Sequence, residues 1–261
     1  WIARGDGQMS WDPGQYLKFV DARRRPALDL LARLDGTTAG CVVDLGCGTG
    51  NITRLLAERW PTAQLTGVDS DLAMLAEAAV THSGILWQCE EIATWRATRA
   101  PDVIFSNAAL QWLSDHQQLF PTLLEQLVDG GTLAVQMPSN FGAASHRILR
   151  ELAEEPRWLP LLGKVRMGSV LSAAEYQQLL AAHCRHLELW ETTYWQVLQG
   201  DDAVFEWMKG TTMVPYLARL DAVATDDFLA AYRGRLRAAY PRHPDGYTLF
   251  PFQRIFLVAR C

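Results

Sequence analysis

From Trp11 to Gln136, short apolar runs alternate with stretches whose apolar residues recur every three or four positions, so the chain predicts strands and helices in turn. Asp12-Pro13 opens a helix with Tyr16, Phe19 and Val20 on one face, and a second helix starts near Pro26 with Leu28, Leu30, Leu31 and Leu34. The run Cys41–Leu45 is a buried strand broken by Gly46-Cys-Gly-Thr-Gly50, followed by a helix from Ile52 to Trp60 that Pro61 ends. Strands at Gln64–Val68, Ile85–Cys89, Val103–Phe105 and Gly131–Gln136 then alternate with helices at Leu72–Ala79 and Gln117–Leu127. That rhythm predicts an α/β fold, a doubly wound and mostly parallel sheet covered on both faces. After Pro138 it breaks. Residues 145–182 and 203–240 read as helical, and strands fall at Leu187–Trp195 and Arg254–Ala259. The last two strands are expected to add an antiparallel hairpin to the sheet, with helical inserts around 140–185 and 200–245 capping its carboxyl edge. Residues 11–261 are taken as one domain, and residues 1–10, which carry no periodicity, as an extension with Met9 as the natural start.

Composition narrows the classes. The 261 residues are 49% hydrophobic and 20% charged, which excludes disorder, and no apolar run approaches the roughly 20 residues of a membrane span. A net charge of -5 argues against a nucleic-acid binder. The five cysteines are odd in number and form no CxxC pair, so they read as reduced thiols with no metal site. A cytoplasmic protein with a small-molecule partner is the expectation, and monomer and homodimer both fit.

The chemistry concentrates at Val43-Asp-Leu-Gly-Cys-Gly-Thr-Gly-Asn51. Glycines at the end of a first strand let a ligand approach the main chain, at the edge where open α/β sheets bind their ligands. The next strand ends in Gly67-Val-Asp69, which puts a carboxylate within reach of two ribose hydroxyls. A dinucleotide site calls for G-x-G-x-x-G with pyrophosphate over the helix N-terminus. Here the spacing is G-x-G-x-G, and Asp44 inside the turn would repel a pyrophosphate but suit a cationic or zwitterionic ligand.

Asp-Leu-Gly-Cys-Gly-Thr-Gly followed by Gly-Val-Asp-Ser resembles the class I S-adenosylmethionine-dependent methyltransferases. The resemblance implies a Rossmann-like, seven-stranded fold, with S-adenosyl-L-methionine as cofactor and S-adenosyl-L-homocysteine as product. It places Asp44 and the backbone at Gly46 and Gly48 at the methionine end, Asp69 at the ribose and Glu91, where relatives commonly have Asp, near adenine; Gly50, Ser70 and Ile92 complete the turn and strand ends of the cofactor site. Asn107 joins the cofactor set, and Tyr16 either covers the cofactor or stands on a helix that packs on the sheet. Further segments are similar to the bacterial trans-aconitate 2-methyltransferase family: Trp11-Asp-Pro-x-x-Tyr-x-x-Phe19, Arg23-Arg-Arg-Pro26, Ser106-Asn-Ala-Ala-Leu-Gln-Trp112, Ala134-Val-Gln-Met-Pro138, Trp190-Glu-Thr-Thr-Tyr194 and Phe250-Pro-Phe-Gln-Arg-Ile-Phe256. The implied acceptor is a small polycarboxylate. Arg23, His146, Arg166 and Arg254, in segments expected at the carboxyl edge or its cap, are the candidates to hold it with Gln111 and Trp112 after the fourth strand, a solvated surface charge being the alternative for each arginine. The family often has Arg where this chain has Val214, a departure that bears on the acceptor.

An ionised carboxylate is already a nucleophile near neutral pH, so such a reaction needs alignment rather than a general base, and no catalytic residue is assigned. Two other readings compete: methyl transfer to another small molecule, and a non-catalytic cofactor binder on the same fold. His116 is expected in a loop, within reach of an adenosine or at the surface. Trp190, Trp195 and Trp207 are expected in the core, and Cys47 as a small buried thiol with nothing to lower its pKa.

Overall fold

The computed structural model describes residues 20–81, 84–165, 167–209 and 212–261, with the side chains of residues 20–23 and 81 left out of the description. Within them the alternating pattern becomes α1 (Val20–Ala32), β1 (Cys41–Leu45), α2 (Asn51–Arg59), β2 (Gln64–Asp69), α3 (Leu72–Thr81), β3 (Leu86–Cys89), β4 (Val103–Asn107), α4 (His116–Glu125) and β5 (Thr132–Pro138). Next come α5 (Ala144–Ala153), α6 (Leu159–Leu162), α7 (Ala173–Leu180), β6 (His186–Gln199), α8 (Ala203–Lys209), α9 (Val214–Leu217), α10 (Ala222–Ala239) and β7 (Tyr247–Arg260). The expected helix start at Pro26 is corrected: this proline lies inside α1, where it forgoes one backbone N–H without ending the helix.

The strands form one seven-stranded sheet of order β3-β2-β1-β4-β5-β7-β6. β1 to β5 pair in parallel, and β7 runs antiparallel to β5 from Thr132↔Arg260 to Pro138↔Arg254. The chain winds outward from β1 to β3 and returns to β4 on the other side of β1, so the topological switch lies between β1 and β4.

The contacts fall into two compact units. The first holds residues 24–138, 169–192 and 254–261. On one face of its sheet, Val43, Leu45, Val68, Ile104, Leu133, Val135, Met137, Ile255 and Leu257 pack with Phe120 and Leu123 of α4 and Tyr176 and Leu180 of α7. Here α7, expected among the cap helices, is part of the sheet unit: a Ser172–Glu175 capping box starts it, and Tyr176 and Leu180 are fully buried.

The second unit, among the described residues, holds residues 20–23, 139–168 and 193–253. Its core joins aliphatic residues of α5 and α6 to aromatic residues of α8, α9 and α10, with Trp158, just before α6, edge-on to Phe228 at 5.1 Å and Trp207 3% exposed. The Ser145 N–H at the start of α5 donates to the Tyr240 hydroxyl, and the Tyr232 hydroxyl donates to the Ser145 carbonyl. Trp195, expected in the core, is 60% exposed. In a strand the side chains alternate, and Tyr194 and Leu198 take the buried positions.

Candidate functional site

The glycine turn is built by backbone geometry. Gly46, Gly48 and Gly50 all have positive φ. The N–H groups of Gly46 and Cys47 both donate to the Val68 carbonyl at 2.8 and 3.1 Å, which folds the end of β1 over the end of β2. A Cβ on Gly46 would lie 2.2 Å from the Cβ of Ala109, with Ile92 Cδ1 at 3.6 Å, so only glycine lets the loop after β4 come this close. Gly48 has room for a Cβ but a φ of 54°, so its requirement is conformational.

Two carboxylates flank the turn. Asp44 is 2% exposed and accepts a 2.7 Å hydrogen bond from the Thr53 hydroxyl on α2. Burial pushes its carboxyl up to about 7; the Thr53 hydrogen bond opposes that rise and the nearby Asp69 adds to it. Asp69 is 3% exposed, with one oxygen taking the Gly48 N–H at 2.8 Å and the other the Asp71 N–H at 2.9 Å. Burial raises its pKa too, against those amide hydrogen bonds. Each oxygen keeps a lone pair for a further donor. Burial, then Asp44 and Asp69, push the Cys47 thiol up, so it stays a neutral packing group.

Other sequence-marked residues lie at the carboxyl ends of the neighbouring strands. Ser70 follows β2 directly, and Glu91, with an exposed side chain, follows β3, its carbonyl closing the turn that receives the Thr94 and Trp95 N–H groups. Asn107 ends β4 with its side-chain oxygen buried and unpartnered. Ala108 then takes a φ of 55°, rare for a residue with a Cβ and a mark of strain held in place by its surroundings. Here the Ala108 N–H donates to the Gln136 carbonyl at 2.9 Å, and Gln111 Nε2 donates to the Ala108 carbonyl at 2.7 Å. Gln111 is buried and Trp112 half-buried, on a short 3-10 turn.

His116 is the residue whose place the sequence reading missed. It opens α4, capped by Asp115, and is 4% exposed. Its Nδ1 lies 2.6 Å from the Tyr176 hydroxyl and its Nε2 2.8 Å from the Leu110 carbonyl. Burial lowers its pKa, so the neutral ring donates from Nε2 to Leu110 and accepts at Nδ1 from Tyr176. The expected loop position is corrected: His116 ties the 3-10 turn to α7, a partner 60 residues away with no local signal.

Arg254 is 6% exposed on β7, opposite Pro138. His146, in the helical unit, is 4% exposed, with its pKa pushed down to about 4 by burial and then by Arg150. It is therefore a neutral imidazole at neutral pH rather than a cation. Tyr16, Arg166 and the side chain of Arg23 lie outside the described residues. Among the described residues no helix is long and apolar enough to cross a membrane.

Residues 42–131 match a family model described as a methyltransferase domain. The chain is 47% identical over 253 residues to a trans-aconitate 2-methyltransferase of Azoarcus sp. (strain BH72), covering 96% of this chain and 98% of that one. It is 45% identical over 260 residues to the enzyme of the same name from Streptomyces avermitilis, covering 96% of each. Among solved structures, the YcgJ protein of Bacillus subtilis matches with a TM-score of 0.57 at 16% identity, covering 90% of this chain and 97% of that one. Phosphoethanolamine N-methyltransferase 2 of Haemonchus contortus, in complex with S-adenosyl-L-methionine, matches with a TM-score of 0.53 at 17% identity, and the match covers 90% of this chain and 52% of that one. The seven-stranded architecture is thus that of the class I methyltransferases, and at this identity over nearly its whole length the chain belongs to the trans-aconitate 2-methyltransferase family.

Proposed function

We propose that this protein is an S-adenosylmethionine-dependent O-methyltransferase that esterifies a carboxylate of trans-aconitate, working in the cytoplasm on a small-molecule acid. The observation that carries the reading is the pair of buried carboxylates, Asp44 and Asp69, around a glycine turn that has no room for a Cβ at Gly46. This cradle suits a ligand that combines positive charge with a ribose, and it fits S-adenosylmethionine better than a pyrophosphate.

When bound, the cofactor supplies a methyl group on a sulfonium and leaves as S-adenosylhomocysteine. In this reading Asp44 and the backbone at Gly46, Gly48 and Gly50 hold its methionine end. Asp69 takes the ribose hydroxyls, Ser70, Glu91 and Ile92 border the adenosine, and Asn107 offers its unpartnered oxygen. Tyr16 covers the cofactor by resemblance. Because the acceptor carboxylate is itself the nucleophile, the protein's part is to align it, strip its water and hold its other carboxylates. Arg254 is the buried guanidinium assigned to that role, with Gln111 and Trp112 beside the cofactor turn. Arg23, His146 and Arg166 enter the assignment from their places in the sequence, His146 as a neutral hydrogen-bonding group.

Arg254→Ala tests the acceptor half. It is expected to raise the KM for trans-aconitate by roughly 10- to 100-fold, as for loss of a charge-assisted hydrogen bond, with cofactor affinity held. Unchanged KM would remove Arg254 from the acceptor site.

A further inference from the structure

Gln136 stands out in the sheet unit. Its side chain is 1% exposed, and neither its oxygen nor its nitrogen has a hydrogen-bond partner. Burying an amide without partners is costly, and folded proteins rarely leave both ends of one unmade. It also sits in company. Gln136 lies opposite Asn107 on β4 and Phe256 on β7, and Arg254 is opposite Pro138, two positions further along. Paired residues share a face, and so do residues two apart, so Asn107, Gln136 and Arg254 stand on the same side of the sheet at the carboxyl end of β4 and β5. The Asn107 oxygen on the paired residue, and the Gln111 oxygen on the 3-10 turn that follows β4, are likewise buried and unpartnered.

The charge along this edge changes sign. The turn at β1 and β2 carries Asp44 and Asp69, β4 and β5 carry neutral amides, and β7 carries Arg254. Strands are about 4.8 Å apart, so Gln136 lies two strands from β1, towards the cationic end. The acidic end suits the cationic methyl donor, and the amide and guanidinium end suits an anion.

We infer that the buried amide of Gln136 is the seat of an acceptor carboxylate, donating from Nε2 to a carboxylate oxygen while Arg254 takes a second carboxylate of the same molecule. The inference rests on the reading above that the acceptor is a small polycarboxylate. Gln136 is then a specificity-determining residue: it favours the anion without adding a charge, and its partners arrive only with the acceptor.

The test compares the wild-type chain with Gln136→Leu and Gln136→Glu. An amide with no partners in the free protein is not missed there, so Gln136→Leu is expected to leave Tm unchanged or raise it. Its affinity for S-adenosylhomocysteine by calorimetry should stay within about twofold, while the KM for trans-aconitate rises roughly 10- to 100-fold. Gln136→Glu places a like charge against the acceptor and should raise KM further. An unchanged KM in Gln136→Leu would overturn the inference, and so would a marked fall in its Tm or a parallel loss of S-adenosylhomocysteine affinity, which would put Gln136 in the fold or the cofactor site. Those results leave wild-type turnover intact and touch this inference alone. A wild-type chain that binds S-adenosylhomocysteine but methylates none of trans-aconitate, cis-aconitate, citrate or isocitrate would overturn both this and the polycarboxylate reading.

Discussion

At the scale of single residues, Asp44 sets a testable pH dependence. Burial holds its carboxyl up to about 7 in the free protein, and a cationic ligand prefers the anion. Below that pH, binding must release a proton, so affinity for S-adenosylmethionine should fall as pH drops through the region near 7, by up to about tenfold per pH unit. Calorimetry from about pH 5.5 to about 8.5 should show this slope, and Asp44→Asn should flatten it and weaken binding at the alkaline end. A flat wild-type profile would take Asp44 out of contact with the cofactor's positive charge. This residue was legible in the sequence because a carboxylate between a strand and a glycine turn changes which ligand the turn can accept. Gln136 was not, because a glutamine in an apolar strand gives no sign of whether the fold supplies it with partners.

At the scale of elements, the loop after β4 is held from both sides. Ala108 takes its strained φ between the Gln136 carbonyl and the Gln111 side chain, and His116 anchors the 3-10 turn through Tyr176 of α7. Tyr176→Phe keeps the packing but leaves His116 Nδ1 without its donor, so it should cost about 1–3 kcal/mol of stability in denaturant unfolding. Because Leu110 bears the His116 hydrogen bond next to Gln111 and Trp112, turnover should fall as well, and a variant with wild-type stability would contradict the anchor. The strand and helix pattern up to β5 was readable because each element has a clean period. Beyond it the reading failed in definable ways. Pro26 sits in a helix that tolerates it, α7 joins the sheet unit through Tyr176, and Trp195 falls on the exposed side of a strand whose alternation places Tyr194 and Leu198 inward. Each outcome depends on a neighbour distant in sequence or on which of two faces the fold covers.

For the molecule as a whole, the sheet order puts the switch between β1 and β4 beside the glycine turn with its two buried carboxylates, and the proposed acid follows from relatives named trans-aconitate 2-methyltransferase. Val214, where the resemblance leads one to expect Arg, is half-buried at the start of α9, and the acceptor assignment predicts that turnover on trans-aconitate survives this difference. The most direct measurement is transfer of labelled methyl from S-adenosylmethionine to trans-aconitate, with cis-aconitate, citrate and isocitrate in parallel. The account predicts a monomethyl ester of trans-aconitate as the dominant product, released with S-adenosylhomocysteine. Cofactor binding with no label in any of these acids would contradict it.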